Sequence, residues 1–261
     1  MKKIWKYRFY YYLALPGLIY FIIFHYVPMG GALIAFKDIS PFDGLRGFFD
    51  APWVGFKHFE RFTSSVYFLD VIENTLIISG LKILFGFPAP IILALLLNEV
   101  LRMSLKRIMQ TISYLPHFIS WVVTAGMITA LLATSGGLLT ETINDFTGSN
   151  INFLGNKDYF VGILVTSHVW KTIGWSSIIY LAAMSSIDPA LYESARIDGA
   201  NRLQMAWHIT LPSIMFVIVI MFLLEIGNLL EAGFEQILLL YSPSVYKVAD
   251  LSLIHISEPT R

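Results

Sequence analysis

Between residues 13 and 36 the chain carries no formally charged side chain, and few other features restrict a fold so strongly. About 20 apolar residues are enough for an α-helix to cross a hydrocarbon core of about 30 Å. Inside that core every backbone N–H and C=O must find its partner within the protein, so only helices and closed barrels can span it. Lys2, Lys3, Lys6 and Arg8 precede the run without an acid, interleaved with Trp5, Tyr7, Tyr10, Tyr11 and Tyr12. Basic residues followed by an aromatic belt mark the cytoplasmic edge of a span. The N-terminus is therefore expected in the cytoplasm. A cleaved signal peptide would have a shorter apolar run and an A-x-A-like site, and no such site stands out.

Composition extends this to the whole chain. Hydrophobic residues make up 56% of the 261 positions and charged residues 14%, whereas soluble domains sit near 45–50% and about 25%. The expected fold class is all-α, a polytopic membrane helix bundle, with membrane lipid as the first partner. A net charge of +0 leaves no basic surplus to recruit nucleic acid. The absence of cysteine excludes disulfides, thiolate metal sites and cysteine nucleophiles.

Four more apolar runs lie at about 74–97, 118–132, 160–185 and 213–230. In 37–72 the acids Asp38, Asp43, Asp50, Glu60 and Asp70 outweigh Lys37, Arg46, Lys57 and Arg61, which suits the outer side. Phe48, Phe49, Trp53, Phe56 and Phe59 in that stretch suit an interfacial belt or a partner contact. Pro88 and Pro90 predict a kink in the second span. Residues 98–111 hold Arg102, Lys106 and Arg107 against Glu99 and read as a short cytoplasmic loop. Residues 133–158 hold Glu141, Asp145 and Asp158 against Lys157 and read as external. Alternation then gives five spans, an external C-terminus and a cytoplasmic position for 187–212, with which Arg196 and Arg202 agree.

That segment, IDPALYESARIDGANRLQMAWHITLP, is the longest clearly polar stretch of the second half. Asp188-Pro189 is a helix start, because Asp accepts orphan N–H groups and Pro is tolerated at the first helical position. Asp198-Gly199 offers a turn, with Asp capping and Gly relaxing the backbone. Leu203 and Trp207 share one face of a second helix, and Pro212 opens the next apolar run. The expected unit is a helix–turn–helix at a membrane surface.

Catalytic constellations are missing. There is no G-x-x-x-x-G-K-[ST] phosphate loop, no H-E-x-x-H and no G-x-S-x-G, and the six histidines are scattered. The chain is not expected to be an enzyme or to bind ATP or a metal itself. The informative polar residues are those inside spans, where a charge costs about 2.5–3.5 kcal/mol and faces the protein interior or a wet cavity. These are Lys82, His168, Lys171 and Glu225, with Trp170 and Trp175 beside them. His168 and Lys171, three apart, share a helical face. One reading is a wet translocation path in which the Trp rings stack on sugar faces. The other pairs Lys82 or Lys171 with Glu225 to hold the bundle together.

Glu193-Ser194-Ala195, then Asp198-Gly199-Ala200, then Ile209-x-Leu211-Pro212 resembles the EAA loop of type I ABC-importer permeases. Ser194 replaces the middle alanine, a departure that keeps the side chain small. WKTIGWSSIIYLAAMSSIDPALYESARIDGAN looks like the carbohydrate-uptake branch of that family. GFPAPIILALLLNEV and LLEAGFEQILLLYSPSVYKVAD look like its polysaccharide/oligosaccharide permease subgroup.

The resemblance implies that the loop is a coupling helix seated in a cleft of a cytoplasmic ATPase subunit, with Glu193 meeting basic residues and Gly199 permitting the turn. ATP would be used by that subunit and not by this chain. Implied partners are a second permease subunit, an ATPase dimer and an extracytoplasmic solute-binding protein, in a bacterial plasma membrane. The implied organisation is an N-terminal span and external loop at 1–71 and a transmembrane transport domain at 72–250. Permeases of this type continue into a sixth span, so 251–261 (LSLIHISEPTR) is expected to be an aberrant tail. Two rivals remain: an ion-driven secondary carrier with Lys82, Lys171 and Glu225 as a relay, and a membrane-embedded enzyme.

Overall fold

The computed structural model describes residues 5, 7–39, 44, 49–66, 68–148, 151–229 and 232–249. The proposed tail at 251–261 lies outside them. The chain divides into two compact units, Met1–Phe68 and Leu69–Arg261.

In the first unit, α1 (Arg8–Phe21) runs on through a π-turn (Ile22–Tyr26) and short helical turns to a 3-10 segment ending at Phe36. Arg8–Phe36 is long and apolar enough to cross a membrane. None of its residues is buried, so its apolar side chains present a surface fit for lipid. After it, Lys37 bridges to Trp53 in an isolated antiparallel pair. A helix α2 (Lys57–Thr63) follows, with Phe36, Phe56 and Phe59 packed ring against ring at 5.4–5.7 Å. The aromatic residues of this stretch therefore partly bury one another.

The second unit is all-helical among the described residues. Its first elements are α3 (Phe68–Gly86), α4 (Pro88–Asn98), α5 (Met103–Tyr114), α6 (Trp121–Leu132), α7 (Leu138–Thr147) and the 28-residue α8 (Lys157–Met184). Then come α9 (Pro189–Ile197), α10 (Arg202–Met205), α11 (Met215–Gly227), α12 (Phe234–Leu240) and α13 (Tyr246–Ala249). Helix α8 is the central element and packs most extensively on α4. Its buried residues, Phe160, Leu164, Ser167, Lys171, Gly174, Ser177, Tyr180 and Met184 among them, recur every three or four positions, as one helical face requires. Two hydrophobic clusters form along that face. One joins Ile78, Ala125, Phe160, Leu164 and Ile237, and the other joins Ala94, Tyr180, Met184 and Ile214.

Several expectations change against this architecture. The prolines at 88 and 90 interrupt the ladder at Phe87, yet α3 and α4 remain one candidate span of 31 residues. The reason is that Pro88 opens α4, where no intrahelical donor is missing, and the Phe87 N–H still reaches the Ile83 carbonyl at 3.0 Å. Residues 98–111 are not a loop alone, since α5 begins at Met103. Leu105, Ile108, Met109 and Ile112 follow a 3.6-residue period that Lys106 and Arg107 disguise. By length and apolarity two helices can cross a membrane, or up to four if each bent pair is one span. The bent pairs are Met103–Phe118 with Trp121–Leu132, at 99°, and Arg202–Ser213 with Met215–Gly227, at 66°. Helix α8 has the length, about 42 Å at 1.5 Å per residue, but its stripe of Ser, Lys and Gly faces protein rather than lipid. The segment after α11, too charged for a full crossing, folds back as α12 into the first cluster.

A buried polar network anchors that return. The Lys82 ammonium donates to the Ala232 carbonyl at 2.8 Å and to Gln236 Oε1 at 2.6 Å. The Gln236 amide in turn donates to the Leu164 carbonyl at 2.8 Å and to Ser167 Oγ at 2.7 Å. Three helices are thereby tied through one side chain that is 0% exposed. Gly233, with φ 72°, is glycine for cause: a Cβ there would press on Lys82 Nζ. Among the described residues, removing Gln236 leaves a buried ammonium with the Ala232 carbonyl as its remaining partner, whereas removing Lys82 deprives two neutral acceptors of their donor. Gln236→Leu is therefore expected to cost about 3–5 kcal/mol, against about 1–3 kcal/mol for Lys82→Met. Thermal unfolding of the purified protein in detergent checks this ranking, and equal losses would count against it.

Candidate functional site

The hairpin at 187–212 is built from local rules. The Asp188 carboxylate accepts from the Ala190 N–H at 2.9 Å, and Pro189 occupies the first turn of α9. α9 ends at Asp198, after which Gly199 takes φ +80°, a left-handed conformation that costs other residues about 1–2 kcal/mol. The Ala200 N–H then returns to the Ala195 carbonyl at 2.9 Å. Asp198 is the expected cap of the turn, but Asn201 caps the second helix. Its side chain accepts from the Gln204 N–H at 2.9 Å while Gln204 Oε1 accepts from the Asn201 N–H at 2.8 Å. This is a reciprocal capping box, legible in the sequence as N-x-x-Q but overshadowed there by Asp198-Gly199.

Past α10 the ladder widens to a π-turn over Ala206–Thr210, in which the Leu211 N–H reaches the Ala206 carbonyl. Pro212 accounts for this, because it has no N–H to continue the i→i−4 pattern and its ring crowds the preceding turn. The 66° bend comes after it, at Ile214 between Ser213 and Met215. Ile209-x-Leu211-Pro212 thus lies in the last turns before the elbow between the hairpin and α11. Beneath the surface Tyr192 Oη meets Thr210 Oγ1 at 2.9 Å, fastening α9 to that turn. Arg202 approaches Glu99, at the end of α4, at 3.5 Å.

What the hairpin exposes matters most. Glu193, Ser194 and Asp198 are exposed, and Ala195 and Ala200 are half-buried. Among them stand large apolar side chains, with Ile197 87%, Leu203 68% and Trp207 62% exposed. A concavity of about 320 Å³ opens between Ala195, Asp198, Gly199, Gln204 and His208. Large exposed apolar groups on the same capped hairpin as an exposed carboxylate make a surface suited to being covered. Ile197 carried no flag in the sequence, since a lone exposed apolar residue looks like a core residue until its neighbours are placed.

The interior candidates do not form one site. His168 and Glu225 meet across a cavity of about 110 Å³ with Gly86, Thr172, Ser176 and Tyr180. Gly86 lies opposite the His168 ring, where an added Cβ would sit 3.5 Å away in ordinary contact. Lys82 is committed to the Gln236 network, and Lys171 turns to the carbonyls of Pro116, His117 and Ile119. His168 and Lys171 therefore diverge despite their spacing, because a helical face about 100° wide can meet two different neighbours. Trp170 borders a largely apolar cavity of about 620 Å³ with Met127, Leu131 and Ile163. Trp175 stacks on His117, with ring centroids 4.6 Å apart and planes 2° apart. The pairing of Lys82 or Lys171 with Glu225 is not observed. The ion pairs among the described residues are Lys57 with Asp38 and Arg202 with Glu99.

Residues 86–248 match the family model of the binding-protein-dependent transport system inner membrane component. The chain belongs to this family. It is 47% identical over 250 residues to the polygalacturonan/rhamnogalacturonan transport system permease protein YteP of Bacillus subtilis, covering 95% of this chain and 77% of the relative. It is 44% identical to protein LplB of the same organism, over 92% of this chain and 75% of the relative. The fold superimposes with a TM-score of 0.89 at 42% identity on a chain of a bacterial alginate ABC transporter in complex with alginate pentasaccharide-bound periplasmic protein. That match covers 98% of this chain and 84% of the other. The permease is a membrane transport component, and nothing supports the ion-driven carrier. The hairpin residues Glu193 to Pro212 all fall within the matched span.

Gly199→Val forces a β-branched residue into left-handed backbone and is expected to destabilise the turn by about 1–3 kcal/mol. Hydrogen exchange across 195–205 in the solubilised permease should quicken correspondingly, with α8 unchanged. Uniform protection would argue against the turn's dependence on that glycine.

Proposed function

We propose that this permease couples a separate, cytoplasmic ATPase to the import of oligosaccharides derived from acidic polysaccharides. The observation that carries the reading is the capped hairpin on which Glu193, Ile197, Leu203 and Trp207 all stand exposed among the described residues. Rigidity matters because a lever must not bend where it is pushed, and the capping box and the Tyr192–Thr210 contact supply it. Glu193 offers a carboxylate to basic groups of the ATPase, and the exposed apolar residues of the hairpin seat in that partner's cleft. ATP binds there, and closure of an ATPase dimer tilts the hairpin. The 66° elbow at Ile214, just past Leu211-Pro212, passes that motion to α11, and α11 carries Glu225 to the interior cavity.

The substrate class rests on the relatives, one named for polygalacturonan and rhamnogalacturonan and one crystallised as an alginate importer. Residues 72–250 serve as the transport domain and 1–71 as an N-terminal span with an external loop. The N-terminus and the hairpin lie on the cytoplasmic side. A second permease completes the pathway, and an extracytoplasmic solute-binding protein delivers the sugar. Along that pathway the His168–Glu225 cavity is the polar waypoint, with Ser176 and Tyr180 available to hydroxyl groups.

Reconstituting the assembled importer in proteoliposomes tests this. Glu193→Lys is expected to abolish ATP-dependent uptake of a labelled oligogalacturonide while membrane insertion of the permease persists. Uptake that continues without ATPase, or follows an imposed ion gradient, would overturn the reading.

A further inference from the structure

The break between α5 and α6 is held by a single face of α8. Residues 115–118 form a 3-10 turn, Ile119 is extended, and Ser120 caps α6 by accepting from the Val123 N–H at 3.3 Å. A helix end leaves up to four carbonyls without intrahelical partners, and inside a membrane each of these costs several kcal/mol unless something donates to it. The Lys171 ammonium has three donors, and it has three carbonyl partners: Pro116 at 3.3 Å, His117 at 3.1 Å, and Ile119. A cation at the carboxyl end of α5 also matches the helix dipole. The Trp121 ring lies 5.3 Å from Nζ, within range of a cation–π contact.

The neighbours of Lys171 on that face complete the hold. Gly174 lets the Ser113 carbonyl approach so closely that a Cβ there would overlap it. Trp175 stacks flat on His117 and meets Phe118 edge-on at 5.5 Å. Positions 171, 174 and 175 are i, i+3 and i+4, the spacing that places side chains side by side. Lys171 had two readings from sequence, a charge on the translocation path or a partner for Glu225. Its donors are instead spent on backbone oxygen, and the residue is 7% exposed.

We propose that Lys171 is a positioning residue for transport, closing the elbow at 115–120 and holding α5 and α6 at their 99° angle so that both move with α8 as one block. The proposal rests on the transport reading only for its effect on uptake. Its structural content is independent of what is carried. Without the ammonium the three carbonyls have no donor from α8, and the angle between the two half-helices is no longer set.

The chain has no cysteine, so two introduced cysteines can be spin-labelled without background. Leu105→Cys on α5 and Met127→Cys on α6 are exposed positions on either side of the elbow. In the assembled importer the labelled parent should give one narrow distance distribution. Lys171→Met should broaden it, and Lys171→Arg, which restores donors to the same carbonyls, should narrow it again. Uptake should fall about tenfold or more in Lys171→Met, the equivalent of losing one charge-assisted hydrogen bond from the working geometry, and recover in Lys171→Arg. A distribution unchanged in Lys171→Met overturns the proposal, as does an arginine variant that broadens as far as the methionine one. If Lys171→Met fails to reach the membrane, Lys171→Gln, which keeps an amide donor but no charge, carries the test: its distribution should broaden, and one as narrow as the parent's overturns the proposal as well. Glu193→Lys separates the two readings, since it should stop uptake while leaving the distance distribution narrow.

Discussion

Backbone polar groups that cannot be left bare in hydrocarbon govern this protein wherever a helix stops. Two buried lysines answer that constraint in the same way. Lys82 donates to the carbonyl at the turn before α12 and to Gln236, and Lys171 donates to the carbonyls at the α5–α6 break. Among the described residues, neither has a carboxylate at hydrogen-bonding distance. Each is instead surrounded by carbonyl or amide oxygen, and cation and chain break each make the other tolerable. The consequence is a mixed buried face along α3 and α8. Ser, Thr, Lys and Gly share it with Ile78, Phe160 and Leu164, while Ile72, Leu76, Leu84 and Phe85 of α3 face outward.

With those breaks secured, the bundle can place its irregular backbone where it is useful. A small cavity shared by His168 and Glu225 lies beside the α3–α4 interruption, and the elbow at Ile214 joins the capped hairpin to α11. The hairpin itself obeys the opposite solvent rule. Its termini are capped by side chains, its turn uses the one residue that tolerates φ +80°, and it keeps large apolar groups in the open. A family built on inner membrane transport components provides the context in which such an uncovered surface makes sense.

The hairpin was legible in the sequence because its signals are local: Asp188-Pro189, Gly199 and Pro212 act on neighbours a few residues away. The apolar runs at 13–36 and 74–97 were legible for the same reason, and each lies in a helix long and apolar enough to cross a membrane. Of the five spans expected, at most four pass that test among the described residues, and 160–185 is not one of them. Helix α5 was obscured because Lys106 and Arg107 read as loop charges, although Lys106 and Gln110 are half-buried and the apolar side chains opposite are exposed. The fate of the intramembrane charges was not legible at all. A lysine's preference for the interior follows from its desolvation cost, but its partner depends on which element crosses nearby, and Gln236 lies 154 residues from Lys82.

Charge-free length and belts of aromatic and basic residues were sufficient to indicate a helical membrane protein, since each depends only on composition and short spacing. The register from Glu193 to Pro212 pointed to a transport permease through its resemblance to the EAA loop. Tertiary structure alone decided that His168 and Glu225 share a cavity, that Lys82 and Lys171 close chain breaks, and that Trp175 rests on His117. Those outcomes depend on which faces of distant helices meet, and side-chain spacing within one helix does not specify the neighbour on the other side.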